Sequence, residues 1–173
     1  MDGGDYTSVM SLGPKVDLRR VRKKRQARAL AALTVELARY EKLELPSVEA
    51  LARLEADALE GRLIRAVLAY VGEEPVGYSV AFETYSTFQG RPIYYLEDLF
   101  VLPHHRRSGV GTKLFRDAVR RAIKRGACRM EWQVLAWNEP ALRFYERLSA
   151  KKMTDWVWHR LDEPELIALA DAP

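Results

Sequence analysis

The 173-residue chain has one cysteine, Cys128, and no apolar run of membrane-spanning length. A single thiol excludes an internal disulfide, which makes a reducing cytoplasm the expected setting. We read Cys128 as a small buried apolar residue near the start of a strand, not as a nucleophile. A bilayer-crossing helix needs about 20 apolar residues in a row, and no stretch offers them. Residues 1–14 lack the basic-then-apolar order of a signal peptide. With Gly3, Gly4, Ser8, Ser11 and Gly13 they read as a flexible tail, leaving 15–173 as a single domain. The Gly-Lys-Ser/Thr of a phosphate-binding loop and the third glycine of a dinucleotide fingerprint are both missing. The three histidines, His104, His105 and His159, lack metal-ligand spacing, and two of them sit in a basic turn, so no metal is expected.

What is present is an ordinary globular composition, 48% apolar and 30% charged. The net charge of +4 is local. Residues 15–28 hold eight basic side chains against Asp17 alone, leaving 20 basic and 23 acidic residues elsewhere, a net of −3. Such a run suits nucleic acid or the solvated face of a first strand and helix. Apolar residues interleave it at structural spacing, so we read it as the latter and expect no nucleic-acid partner.

The pattern predicts a strand over Val16–Val21 and a helix from about Lys24 to Tyr40, with Leu30, Leu33, Leu37 and Tyr40 on one face. Ser47 caps a second helix that Gly61 ends. Strands follow at Leu63–Val71 and Val76–Tyr85 around a Gly72–Pro75 hairpin turn, then at Ile93–Leu102 after a loop from Ser86 to Pro92. Gly109–Arg125 is a helix, Arg129–Leu135 a strand, and Asn138 caps a helix reaching about Leu148. Met153–Leu161 reads as a returning strand, with Trp156 and Trp158 in the core or an interface. Glu163–Ala170 reads as a short helix. Hairpins first and a crossover later make an α/β protein, a mixed sheet covered by helices on both faces.

One stretch organises the rest. Tyr95-Leu96-Glu97-Asp98-Leu99-Phe100-Val101 reads as a buried strand, and Arg106-Arg107-Ser108-Gly109-Val110-Gly111-Thr112 as a basic glycine loop opening a helix. A strand, a glycine loop and a helix start in that order make an anion cradle of backbone N–H groups. A tight strand-to-helix turn explains the glycines as well. The loop resembles motif A of the Gcn5-related N-acetyltransferases, the GNAT superfamily. Val134 to Leu148, with Trp137-Asn138-Glu139-Pro140-Ala141 and Phe144-Tyr145, resembles its motif B. Together with Leu37-Ala38-Arg39-Tyr40-Glu41 and Tyr95-Leu96-Glu97-Asp98, the chain is most similar to the diamine branch, the spermidine/spermine and thialysine N-acetyltransferases. Ser149 stands where a glycine usually ends the motif B helix.

The resemblance implies a GNAT fold whose central strands splay, acetyl-CoA as cosubstrate, a small primary-amine acceptor and a homodimer. It also implies cofactor contacts at Leu99, Phe100, Val101, at Arg106 through Thr112 including Val110, and at Asn138, Glu139, Pro140 and Ala141. Tyr40, Glu41, Glu97, Glu131, Trp132 and Gln133 would line the amine site, although Trp132 is equally readable as core and Glu131 as a solvated strand residue. An ammonium with a pKa near 10.4 leaves about one molecule in a few thousand as free amine at pH 7. A carboxylate must therefore take a proton, and Glu97 is the candidate base. Asp98, on the opposite side by the period of two, is read as structural. Tyr145, a phenol that keeps its proton at neutral pH, is the candidate acid for the leaving thiolate. The Leu99 N–H is the expected donor to the carbonyl oxygen. An amino acid, an aminoglycoside or a protein amine remains open as acceptor. A non-catalytic acyl-CoA-binding or nucleic-acid-binding module also remains open.

Overall fold

The structure is a computed structural model that describes residues 15–171; the expected tail at 1–14 lies outside them. It divides into two compact units, one ending at Gln133 and the other starting at Val134.

The first unit is built on a five-stranded sheet in the order β1-β2-β3-β4-β5. Strands β1 (Val16–Arg20), β2 (Arg65–Val71), β3 (Glu74–Ser86) and β4 (Arg91–Val101) form an antiparallel meander. The chain then runs through a 3-10 turn, Pro103–His105, and helix α3 (Val110–Lys124) before β5 (Met130–Glu131) joins β4 in parallel. Helices α1 (Lys24–Glu41) and α2 (Val48–Glu60) separate β1 from β2.

Alternation along the strands splits the core between two faces. Ala66, Leu68 and Tyr70 of β2 join Leu30 and Leu33 of α1, Ala58 of α2, Tyr78 and Phe100 on one face. Val67 and Ala69 join Val110 and Leu114 of α3 on the other. Leu30, Leu68 and Leu114 are fully buried, and truncating any of them to alanine costs about 2–5 kcal/mol. The helix ends fall where the sequence sets them. The Ser47 hydroxyl accepts from the Ala50 N–H, and Gly61 closes α2 at φ 66°. At the start of α1 the Gln26 side chain reaches back to accept from the Arg22 and Lys23 N–H groups. The basic segment is the solvated face of β1 and α1, as expected: Lys15, Arg22, Lys23, Lys24, Arg25 and Arg28 are exposed, while Arg19 bonds Asp17 and lies over the Tyr70 ring.

The loop expected at Ser86–Pro92 shrinks to a turn of four residues, because both flanking strands extend into it. The strand expected over Arg129–Leu135 pairs only at Tyr94↔Met130 and Tyr95↔Glu131. Beyond that point, through Leu135, the chain has no strand structure. Cys128 is half-buried, and its N–H donates to the Pro92 carbonyl.

In the second unit α4 (Glu139–Glu146) begins at Asn138, whose side chain accepts from the Ala141 N–H, and α5 (Glu163–Ala170) lies as expected. Ser149 adopts φ 57°, the left-handed conformation that explains why a glycine is usual there. The strand expected over Met153–Leu161 does not form. The segment has no regular structure, and Trp156 and Trp158 are 78% and 70% exposed, so neither is core. Period-two alternation gives a segment a strand's face but not a partner for its backbone, and no described strand pairs with it.

Candidate active site

Strand β4 positions the site. Its register against β3 slips between Val80↔Asp98 and Ala81↔Leu96, so Glu97 is the extra residue of a β-bulge. Bulges re-aim side chains and are enriched beside active sites. Glu97 is exposed, whereas the Asp98 side chain is directed into the α1 face, where the Tyr78 hydroxyl donates to Asp98 Oδ2 at 3.2 Å. Glu97 is thus exposed and Asp98 turned toward α1, close enough for their charges to interact, and the bulge rather than simple alternation sets the two apart.

Burial pushes the Asp98 carboxyl up to about 6, helped by the negative charge of Glu97 and opposed by the Tyr78 hydrogen bond. Burial likewise raises Glu41, at the end of α1. Beside it Tyr40 packs on Phe100 with centroids 6.4 Å apart. The structure thus brings Tyr40, Glu41, Glu97 and Asp98 to one region, an acidic floor with an aromatic wall. Asp98 is the member that sequence reasoning set aside. Its apolar flanks, Leu96 and Phe100, were the available signal that a carboxyl there would be desolvated. Of the other expected amine-site residues, Trp132 packs edge-on against Phe115 of α3 at 5.3 Å, Glu131 accepts from Arg129 at 2.6 Å, and Gln133 is exposed.

A free aspartate titrates near 3.9. Between that value and about 6 the folded protein binds more protons than the unfolded chain, so Asp98 makes stability rise as the pH falls from 7 toward 4. Asp98→Asn, which keeps an acceptor for Tyr78, is expected to stabilise the protein at pH 7 by up to about 2–3 kcal/mol and to abolish that rise. Denaturant titrations of both proteins at pH 7 and pH 4.5 measure it; equal stability at pH 7 would contradict a costly buried charge.

The other end of β4 leads into the glycine loop. Gly109 takes φ 87° at the N-cap of α3, Arg107 takes φ 63°, and Ser108 Oγ donates to the His105 carbonyl at 2.6 Å. A Cβ on Gly109 would meet nothing within 4 Å, and one on Gly111 only Val101 Cγ2 at 3.8 Å. The left-handed turn therefore requires the glycine at 109, but packing does not require the one at 111. The opening N–H groups of α3, from Val110 to Thr112, have no acceptor within the helix, and its first turn carries no acid. This cradle fits a pyrophosphate.

Arg106 is committed elsewhere. Its Nε donates to the Val101 carbonyl at 2.9 Å and its guanidinium lies 4.1 Å over the Tyr40 ring, tying the loop to the aromatic wall. Phe100 is buried in the α1-side core and Leu99 and Val101 pack on the α3 side, so what they can offer a cosubstrate is backbone. Past Tyr95↔Glu131 no described strand covers that edge of β4.

In the second unit, Asn138 caps α4, Pro140 lies in its first turn, and Glu139 pairs with Arg143. Tyr145 packs edge-on with Phe144 at 5.1 Å, and burial raises its phenol well above the ordinary value.

Strand β4 thus delivers carboxylates to one end and an open helix N-terminus to the other. Residues 21–150 match the Acetyltransferase (GNAT) family, and the chain belongs to it. It is an N-acetyltransferase of that family. It is 31% identical over 148 residues to a thialysine N-epsilon-acetyltransferase of Caenorhabditis elegans, covering 84% of this chain and 91% of that protein. Its identity to the thialysine N-epsilon-acetyltransferase of Bos taurus is 34% over 134 residues, 72% of this chain and 78% of that one. Among solved structures, an integron cassette protein from V. cholerae superposes with a TM-score of 0.76 at 22% identity, covering 91% of this chain and 98% of that one. Among the described residues, no helix is long and apolar enough to cross a membrane.

Proposed function

We propose that the chain transfers the acetyl group of acetyl-CoA directly to the side-chain amine of a small lysine-like or diamine-like acceptor, with thialysine as the leading candidate. The observation that carries this reading is the acidic and aromatic cluster of Tyr40, Glu41, Glu97 and Asp98, on the strand that feeds the glycine loop. An ammonium on a short alkyl stem suits such a site: the carboxylates attract the charge, and Tyr40, whose ring already carries the Arg106 guanidinium, offers its edge as an apolar wall for the stem. The names of the relatives support the same class. The family match over residues 21–150 enters the second compact unit, which supports taking 15–173 as one catalytic domain.

Glu97 takes the proton of the incoming ammonium, directly or through water. The amine nitrogen then bonds to the thioester carbon while the Leu99 N–H stabilises the negative carbonyl oxygen. The carbon–sulfur bond breaks, Tyr145 protonates the thiolate, and the second proton of the nitrogen leaves to water, from which the Tyr145 phenolate recovers its own. Backbone N–H groups of Arg107 through Thr112 hold the pyrophosphate, and the first turn of α4, Asn138 to Ala141, adds further contacts. Gly111→Ala, which the fold accommodates, is expected to weaken CoA binding at least about tenfold, or 1.4 kcal/mol. Unchanged affinity by calorimetry would remove the pyrophosphate from this cradle.

The homodimer belongs to the same proposal. Trp156, Val157, Trp158 and Leu169 are all exposed, and this apolar stretch supports burial against a second copy. The acceptor reading is tested by following thiol release from acetyl-CoA with thialysine, lysine, ornithine, spermidine and an aminoglycoside. The highest kcat/KM is expected with thialysine or another lysine-like amine; preference for the aminoglycoside would overturn it.

A further inference from the structure

The turn between β4 and the glycine loop carries a second group of chemically capable side chains, unused by acetyl transfer. Glu74, the first residue of β3, reaches His104 and His105 of the 3-10 turn. His104 Nε2 lies 3.7 Å from one Glu74 carboxylate oxygen and His105 Nε2 lies 3.6 Å from the other. The imidazole rings are 4.4 Å apart, and one ligand atom from each residue falls within 4.8 Å of the other two. Nitrogen and oxygen ligands about 2.1 Å from a tetrahedral ion stand roughly 3.4 Å from one another, so small side-chain rotations bring the three onto one ion.

The backbone holds them in place. The Leu102 N–H donates to the Val76 carbonyl and the His105 N–H to the Leu102 carbonyl, both at 2.9 Å, which fixes the turn against the β2–β3 hairpin. Strands β3 and β4 approach so closely at Gly77 that a Cβ there would lie 2.6 Å from the Phe100 carbonyl oxygen. The His105 side chain is only 18% exposed, which limits its rotation.

We propose that Glu74, His104 and His105 bind one divalent transition-metal ion of the zinc, cobalt or nickel type, with water completing its coordination. Two imidazoles and one carboxylate suit that group of ions, whereas calcium and magnesium prefer oxygen-only shells. From the sequence alone no metal is expected, because the histidines lack ligand spacing and two sit in a basic turn; the fold adds a carboxylate, Glu74, from 30 residues upstream. A bound ion clamps the turn to the hairpin. Because Ser108 donates to the His105 carbonyl, it also steadies the approach to the glycine loop.

The test uses the full chain without an affinity tag, stripped of metal by chelation. Calorimetry with zinc chloride is expected to give one ion per chain with a Kd of roughly 10 µM or tighter. Glu74→Gln and His104→Gln, both at exposed positions, are each expected to weaken binding about 10–100-fold. Zinc should raise the melting temperature of the native protein but not that of the His104→Gln/His105→Gln variant. Melting in chelator checks that the variants fold. An absence of saturable uptake, or uptake of equal affinity by the double variant, overturns the site and leaves Glu74 as an ion-pair partner of the histidines.

Discussion

Tyr145→Phe is expected to lower turnover by about 10²–10⁴-fold, the scale of a general acid, while CoA affinity changes little. The substitution keeps the ring and its edge-on packing with Phe144 and removes only the hydroxyl. Burial raises the phenol above its ordinary pKa of about 10, so it holds its proton throughout the neutral range. The same shift makes the phenol a weaker donor to a thiolate, whose conjugate acid lies near 8.5, so the transfer is uphill. The pH–rate profile of the native enzyme should therefore show no falling limb from Tyr145 below about pH 10. Near-normal turnover of Tyr145→Phe with a good amine would reduce Tyr145 to an aromatic wall.

Glu97→Gln has the second large effect. Near neutral pH it should lose about 10²–10⁴-fold in kcat, because about 4–5 kcal/mol of amine deprotonation is no longer assisted. Activity should return as the pH rises toward the amine's own pKa, near 10.4, where solvent removes the proton. Asp98→Asn is expected to behave differently. It removes a buried charge that attracts the ammonium, so KM should rise more than kcat falls. Should Asp98→Asn instead show the alkaline recovery while Glu97→Gln retains normal turnover, the proton passes to Asp98, whose raised pKa of about 6 suits a base.

Local chemistry made much of this legible before the fold was known. Ser47, Gly61 and Asn138 mark helix ends because a side-chain oxygen or a left-handed backbone is needed where they stand, and each is used that way. Gly109 was legible for the same reason, with its φ of 87° at the turn into α3. The features that were not legible depend on residues distant in sequence. Met153–Leu161 alternates like a strand but forms none, because pattern does not supply a partner. The bulge at Glu97 arises from a register slip against β3, which is encoded in neither strand alone. Asp98 reads as a structural acid held by a hydrogen bond, and the Tyr78 hydroxyl supplies that bond; what the strand alone does not reveal is the burial beside α1 that raises its pKa to about 6. Glu74 meets the histidines only because β3 and the turn after β4 are neighbours in the sheet.

The most direct measurement is the position of the new acetyl group after turnover with thialysine, read by fragmentation mass spectrometry of the product. Side-chain acetylation is expected, because the carboxylates select an ammonium on a short alkyl stem. Acetyl on the α-amine, or no acetylated product while acetyl-CoA binds normally, would contradict a site built for a lysine-like side-chain amine.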